Sequence, residues 1–128
     1  YLSKEKDIAQ VPISDNQAVE RIIVDYCDGL YEADVEKLEK IFDEDVFLKA
    51  PGLRRSKEDW LQAVANRPVP RQEGENYRFK IISIDVVDAQ AMVKLECPLF
   101  EKFYIDFIGL LKENGQWKIV NKMYCDVA

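Results

Sequence analysis

Asp106 and Asn121 are the polar residues best placed for chemistry, because each interrupts an apolar stretch near Asn114-Gly115. Asn-Gly is the dipeptide best suited to a type I′ hairpin turn, in which both central residues have positive φ. With a two-residue turn, Glu113 pairs with Gln116, and the alternation of side chains assigns every residue of the hairpin to a face. An apolar face interrupted by one acid and one amide is typical of a ligand cavity.

The two-residue turn predicts an inner and an outer face for this hairpin. The predicted inner face consists of Asp106, Ile108, Leu110, Trp117, Ile119, Asn121 and Met123. The predicted outer face carries too much apolar surface to stay exposed on a monomer, so we expect an isologous homodimer. Its predicted interface consists of Ile105, Phe107, Leu111, Val120 and Tyr124, with Lys118 and Lys122 at the edges.

The residue types restrict the possible chemistry. The chain contains no histidine, which excludes Ser-His-Asp and Cys-His triads and any zinc site that needs imidazole. No cofactor or metal site is predicted, because Cys27, Cys97 and Cys125 include no Cys-x-x-Cys pair. We expect buried free thiols and a reducing, cytoplasmic compartment. Any acid–base chemistry would use Asp, Glu, Tyr or Lys.

Length and charge set further bounds. The 128 residues fit one domain, predicted to cover residues 14–128 after an N-terminal arm at 1–13. The net charge of −6 and the lack of a basic cluster argue against nucleic acid and anionic membranes as partners. No apolar run approaches the roughly 20 residues that a membrane span needs.

Three amphipathic helices are predicted before Pro68. Ser14 and Gln17 form a capping box for the first helix, and Asp34 and Ser56 are the predicted N-caps of the second and third. The predicted buried residues are Val19, Ile22, Ile23, Tyr26, Leu30, Val35, Leu38, Ile41, Phe42, Trp60, Leu61 and Val64. Tyr26 and Trp60 are therefore expected on the side of the helices that faces the sheet.

Strands dominate the rest of the chain. A short strand at Val46–Ala50 ends at Pro51-Gly52, and a later hairpin joins Tyr77–Val87 to Gln90–Leu99 through a two-residue turn. The register of this second hairpin predicts that Ile82 shares the inner face with Ile84, Val86, Ala91, Val93 and Leu95. Helices first and a strand meander second predict an α+β fold, with three helices packed on one face of a curved antiparallel sheet.

The order of elements resembles the nuclear-transport-factor-2-like superfamily of cone-shaped, cystatin-like α+β domains. More narrowly, it is similar to the putative lumazine-binding and SnoaL-like branch. The resemblance covers roughly residues 15 to 125 and rests on Tyr26-x-x-Gly29-Leu30, Asp34-x-x-x-Leu38-x-x-x-Phe42-x-x-Asp45, Arg67-Pro68, Tyr104-x-Asp106 and Trp117-Lys118-Ile119-Val120-Asn121-Lys122. It implies a homodimer, and it leaves the activity open because this scaffold hosts enzymes, binders and interaction domains.

Ketosteroid isomerase shares this scaffold, and two residues resemble its oxyanion donors. Tyr26 stands eight residues before Asp34, as the tyrosine of that family does, and Asp106 lies near the position of its protonated aspartic acid. The isomerase base corresponds to Ala50, which cannot move a proton. Isomerase chemistry of that kind is therefore not predicted.

The leading hypothesis is a SnoaL-like domain that binds an apolar or aromatic small molecule in an apolar cavity. The predicted ligand-binding residues are Tyr26, Trp60, Asp106, Ile108, Trp117, Asn121 and Met123, with Tyr26, Asp106 and Asn121 in one hydrogen-bonded neighbourhood. One alternative is a cyclase, dehydratase or isomerase that uses Tyr26 and Asp106. Another is a structural dimer module with a filled core. A cavity of at least about 300 Å³ would favour the first two.

Overall fold

The computed structural model describes residues 13–127. The predicted N-terminal arm lies outside the described residues except for Ile13. The helices are α1 (Asp15–Glu32), α2 (Val35–Ile41) and α3 (Lys57–Asn66), and the strands are β1 (Phe42–Ala50), β2 (Leu53–Ser56), β3 (Lys80–Val87), β4 (Gln90–Leu99), β5 (Lys102–Glu113) and β6 (Gln116–Asp126). No helix within this part of the chain is long and apolar enough to cross a membrane.

The helices begin where the capping residues predict. Ser14 and Gln17 form a capping box in which each side chain accepts from the other residue's backbone N–H. The side chain of Asp34 accepts from Lys37 N, and that of Ser56 accepts from Asp59 N. Each of these bonds satisfies a backbone donor that the first helical turn leaves unpaired.

The six strands form one mixed sheet in the order β2-β1-β6-β5-β4-β3. The predicted α+β class with helices on a curved sheet is confirmed, but a purely antiparallel sheet is wrong, because β1 runs parallel to β6. A parallel pair needs a long crossover connection, and here β2, α3, β3, β4 and β5 all lie between the two strands. The short strand predicted at Val46–Ala50 is the second half of the longer β1.

The β5–β6 hairpin keeps its predicted register only near the turn. Asn114 and Gly115 have φ values of 53° and 75°, which confirms positive φ at both central residues, as a type I′ turn requires. The predicted pairing continues from Glu113 and Gln116 as far as Leu110 and Ile119. A bulge then places an extra residue in β6, so that the next pair is Gly109 with Asn121.

This bulge reverses the faces of the last part of β6. Ile108 now pairs with Lys122, and Asp106 pairs with Tyr124, so Lys122 and Tyr124 lie on the inner face. The prediction that Asn121 and Met123 face inward is therefore wrong. A bulge inserts one residue into the alternation of side chains, and everything beyond it changes sides.

A second bulge occurs in β3, between the pairs that Ile81 and Ser83 make with β4. Ile82 is the extra residue and is 40% exposed, so its predicted inner placement is also wrong. Bulges increase the local twist and bend of a strand, and both of these bends contribute to the curvature of the sheet around the helices.

The core lies between the helices and the inner face of the sheet. Its largest fully buried side chains include Tyr26, Phe42, Leu95, Ile108 and Ile119. α1 and α2 approach closely at Gly29, where a Cβ atom would lie 2.7 Å from Leu38 Cγ. Glycine is therefore required there, and the close contact fixes the position of α1 and its Tyr26 against the sheet.

Candidate ligand site

Asp106 is a carboxyl group buried at the centre of the inner face. It lies on β5, opposite Leu95 of β4 and Tyr124 of β6, and is 1% exposed. The Tyr26 hydroxyl reaches it from α1 and donates to Asp106 Oδ2 at 2.9 Å. The predicted contact between Tyr26 and Asp106 is thus confirmed.

Lys122 is the residue that the bulge brings into this cluster. Its side chain is buried, and its Nζ lies 3.8 Å from Asp106 Oδ2. Three aromatic rings surround the ammonium group, with centroids 4.4 Å away for Tyr124, 4.7 Å for Trp60 and 4.9 Å for Tyr26. Rings at these distances attract a cation through their quadrupoles, so they replace part of the hydration that Lys122 loses on burial.

Burial controls the protonation of the whole cluster. It raises the pKa of Asp106, although the Lys122 charge and the Tyr26 hydrogen bond oppose this shift. It lowers the pKa of Lys122, against the attraction of Asp106. The pKa of Tyr26 is raised well above its ordinary value, chiefly by burial and by the Asp106 charge. Tyr26 therefore remains a hydrogen-bond donor at neutral pH.

A small cavity of about 70 Å³ adjoins the cluster. It is lined by Leu30, Arg55, Trp60, Arg67, Cys97, Leu99, Tyr104, Asp106, Lys122 and Tyr124. The volume corresponds to about two water molecules. It is well below the 300 Å³ or so set above for a ligand cavity, so the volume of this cavity by itself favours the filled-core alternative. Arg55, Arg67, Tyr104 and Tyr124 are only half-buried, so they form the side of the cavity nearest to solvent.

Two polar groups at this cavity have unpaired atoms. Asp106 Oδ1 is buried without a hydrogen-bond partner among residues 13–127, and so are Nε and Nη2 of Arg67. Buried polar atoms in native proteins almost always have a partner. The three atoms thus offer one acceptor and two donors that no neighbouring side chain uses.

The sequence of this domain matches a family model. The model is described as putative lumazine-binding and aligns with residues 14–125. The chain belongs to this putative lumazine-binding family. No curated protein sequence matches it.

Solved structures share the fold of this family member at low sequence identity. A protein of unknown function from Shewanella baltica OS155, described as NTF2-like, superimposes with a TM-score of 0.76 at 18% identity, covering 91% of this chain and 99% of that one. Another from Silicibacter pomeroyi DSS-3 gives 0.71 at 21% identity, covering 86% and 93%. A ketosteroid isomerase-like protein from Erwinia carotovora atroseptica SCRI1043 gives 0.72 at 14% identity, covering 90% and 98%. At these identities the likeness shows the fold alone.

The remaining predicted site residues of this putative lumazine-binding domain lie away from the cavity. Ile108 is fully buried in the core. Trp117 donates from Nε1 to Asp15 Oδ1 at 3.1 Å, close to the start of α1. Asn121 and Met123 lie on the outer face. The predicted neighbourhood of Tyr26, Asp106 and Asn121 is therefore confirmed for the first two residues only, and Trp60 joins them from α3.

The prediction from sequence missed Arg67 and Lys122 as site residues. Arg67 follows the last residue of α3, where the sequence shows only a helix end before proline, and Lys122 reaches the cavity only because of the bulge. Cys97 also lines the cavity, but burial raises its pKa well above the ordinary value, and burial raises that of Cys27 to about 12. Both are therefore unreactive thiols. Cys125 is exposed, which corrects the expectation of three buried thiols.

A larger cleft of about 630 Å³ lies on the outer face of the sheet. Ile82, Ile105, Phe107 and Met123 contribute its apolar side chains, and Lys94 and Glu96 are among its charged ones. The cleft and the inner cavity share Tyr124 in their linings. The outer face is thus the larger apolar surface, and the inner cavity is the more polar site.

Proposed function

We propose that this domain binds a small molecule at the inner cavity, through Asp106, Lys122, Trp60 and Arg67. The observation that carries the proposal is the set of unpaired buried atoms on Asp106 and Arg67, which line the same cavity. In a purely structural site ordered water would have to satisfy these atoms, because no protein group within residues 13–127 does. A ligand that both accepts and donates hydrogen bonds would complete them.

The polar atoms and the small volume of the cavity restrict which ligands could bind there. An entirely apolar molecule would leave Nε and Nη2 of Arg67 and Oδ1 of Asp106 unpaired, so we infer a ligand with a polar end and an apolar or aromatic body. The family description names lumazine, a bicyclic pteridine with ring N–H and carbonyl groups. It is larger than the enclosed 70 Å³, so its binding would require the half-buried side chains at the solvent side, such as Tyr104 and Arg55, to move.

Isomerase-type catalysis is not proposed. The Tyr26 hydroxyl already donates to Asp106, so it is not free to donate to a substrate oxygen. Lys122 lies close to the same oxygen of Asp106, and its positive charge favours the ionised carboxylate. Asp106 is therefore better suited to accept a hydrogen bond than to donate a proton. Ala50 stands at the position of the isomerase base and lines the outer cleft instead of the inner cavity.

Binding of lumazine can be tested by NMR titration of the ¹⁵N-labelled protein. We expect concentration-dependent shifts of the backbone amides of Cys97, Tyr104 and Lys122, which lie on the cavity wall. A double variant, Asp106→Leu with Lys122→Met, removes the polar cluster and should abolish these shifts. Shifts confined to outer-face residues such as Phe107 would overturn the inner-cavity site. The absence of any shift would exclude lumazine as the ligand, and its absence with the carboxylate probes described below as well would overturn ligand binding at this cavity.

We also propose that the domain forms a homodimer through the outer face of the sheet. The bulge changes the predicted interface, since Tyr124 and Lys122 turn inward, Val120 becomes the extra residue of the bulge and Met123 turns outward. The resulting patch consists of Phe47, Ile105, Phe107, Leu111 and Met123. The exposed fraction is 49% for Phe47, 42% for Phe107, 39% for Leu111 and 46% for Met123. A contiguous apolar patch on a sheet is typical of a protein–protein interface. A second copy of the chain presents the same patch and would cover it symmetrically.

The substitution Phe107→Glu should convert the dimer into a monomer, because each interface would then have to bury two carboxylates, and the cost of desolvating them exceeds what the neighbouring Lys94 can offset. The mass is measured by light scattering at micromolar concentration. Val24→Glu is the matched control, since Val24 on α1 is as exposed as Phe107, at 42%, and lies away from the patch. A monomeric wild-type protein, or a Phe107→Glu variant of unchanged mass, would contradict the dimer.

A further inference from the structure

The unpaired edge of Arg67 has the geometry of a carboxylate receptor. The Nε and Nη2 atoms, both buried and unpartnered in the described part of the chain, lie on the same side of the planar guanidinium group. Their N–H bonds therefore run side by side, which matches the two oxygens of a carboxylate. Burying such an edge without an acceptor is costly, so this edge specifies what the ligand must present.

The charges around the cavity favour an anion. Arg55, Arg67 and Lys122 line it together with one carboxylate, that of Asp106. Three basic side chains thus face one acidic side chain, although the whole chain has a net charge of −6. A concave site with an excess of one sign attracts a ligand of the opposite sign, and its low-dielectric walls strengthen the attraction.

Asp106 adds a second requirement. Its side chain is 1% exposed, Oδ2 receives the Tyr26 hydroxyl, and Oδ1 has no donor among residues 13–127. A carboxylate oxygen can only accept while the group is ionised. A ligand that paired with Arg67 alone would leave Oδ1 unsatisfied, so the complete ligand needs a hydrogen-bond donor as well as its anionic group.

We propose that the site recognises the carboxylate of an organic acid that also carries a hydroxyl or amino group. The carboxylate pairs with the Arg67 edge, and the hydroxyl or amino group donates to Asp106 Oδ1. This inference rests on the proposed ligand-binding function and names the chemical class of the ligand. A cavity of about 70 Å³ accommodates such a polar end group, and the body of a larger ligand would extend past Tyr104 and Tyr124 towards solvent.

Three small probes test the two requirements separately: glycolate, acetate and ethylene glycol, each titrated into the ¹⁵N-labelled protein. We expect glycolate to shift the amides of Cys97 and Lys122 at the lowest concentration. Acetate lacks the donor and should bind more weakly by about tenfold or more, the effect of losing a hydrogen bond to a charged group. Ethylene glycol lacks the carboxylate and should produce no shift. Equal binding of ethylene glycol and glycolate, or no shift with either carboxylate, would overturn the inference.

The variant Arg67→Lys keeps the positive charge but removes the paired N–H edge. It should weaken glycolate binding by about tenfold or more, the effect of a lost charge-assisted hydrogen bond. Arg71→Lys is the control, because Arg71 is exposed and pairs with Glu32 outside the cavity. Unchanged glycolate affinity in Arg67→Lys would contradict the role of the guanidinium edge. If lumazine shifts the cavity amides and neither carboxylate does, the ligand class is wrong while the ligand-binding function stands.

Discussion

Lys122→Met should destabilise the protein by about 3–5 kcal/mol at neutral pH, the usual cost of removing one partner from a buried ion pair. The methionine keeps most of the side-chain volume among Tyr26, Trp60 and Tyr124, so the loss would come from electrostatics rather than from a cavity. It would leave the Asp106 carboxylate buried without its nearby positive charge. The free energy of unfolding is measured by urea denaturation.

The double variant Asp106→Leu, Lys122→Met should recover most of this loss. Burial opposes the charged form of both groups, and replacing a buried ion pair by apolar residues of similar size is often neutral or stabilising. Lys80→Met is the control on another strand of the sheet, because Lys80 is exposed and should change stability by less than about 0.5 kcal/mol. A double variant as unstable as Lys122→Met would show that packing, not charge, explains the effect.

The deficit of Lys122→Met should also depend on pH. The pKa of Asp106 is raised in the folded protein, and losing Lys122 would raise it further, since the Lys122 charge is one of the influences that lower it. A group whose folded pKa is raised stabilises the fold below its unfolded pKa and loses that contribution as the pH rises through the folded pKa. The variant should therefore be weakest at neutral pH and approach the wild type as Asp106 becomes protonated in acid.

Local signals in the sequence predicted most of the fold. Ser14, Asp34 and Ser56 each accept a hydrogen bond from the first turn of a helix, and that bond depends only on residues three positions apart. Asn114-Gly115 fixed the tight turn of β5–β6 for the same reason, because the requirement for positive φ is a property of those two residues. The predicted helix caps and this turn, which depend only on neighbouring residues, are confirmed.

The bulges were not predictable in this way. Nothing in the local sequence distinguishes a regular strand from one with an extra residue at Val120, and the alternation of apolar residues suited a regular strand equally well. The bulge decides whether Lys122 or Asn121 faces the core, and it is set by how the bent sheet packs against α1 and α3. The parallel pairing of β1 with β6 was missed because it joins segments far apart in the chain.

The candidate site was predicted only in part, because some of its residues are brought together only by tertiary packing. Tyr26 and Asp106 were paired from their places on a helix and a strand, and the 2.9 Å hydrogen bond confirms that contact. Arg67 has no local signal beyond its place before Pro68, since its side chain meets the cavity only after α3 has packed on the sheet. The basic residues of the site, Arg67 and Lys122, were therefore found only in the tertiary structure. The neutral and acidic ones, such as Tyr26 and Asp106, were predicted from the sequence.

Tyr26→Phe should destabilise the protein by about 1.5–3 kcal/mol at neutral pH, the usual contribution of a hydrogen bond to a charged group. The substitution removes only the hydroxyl that donates to Asp106 Oδ2, and it keeps the ring that contacts Trp60 and Lys122. Asp106 Oδ1 already lacks a described donor, so the carboxylate would then have neither oxygen hydrogen-bonded within residues 13–127. Tyr124→Phe is the matched control, since Tyr124 also contacts Lys122 through its ring. The Tyr124→Phe variant should keep nearly all of the wild-type stability.

The sign of the pH dependence separates this effect from simple loss of packing. The Tyr26 hydrogen bond lowers the pKa of Asp106, so the pKa in Tyr26→Phe should lie above that of the wild type. The extra loss is then present at pH values above both folded pKa values and decreases as the pH falls through them. Below them, with Asp106 protonated in both proteins, only about 1 kcal/mol should remain, the contribution of a neutral hydrogen bond. Urea denaturation at a series of pH values measures this, and a deficit that stays constant from neutral to acidic pH would show that Asp106 is not the group to which Tyr26 contributes its stability.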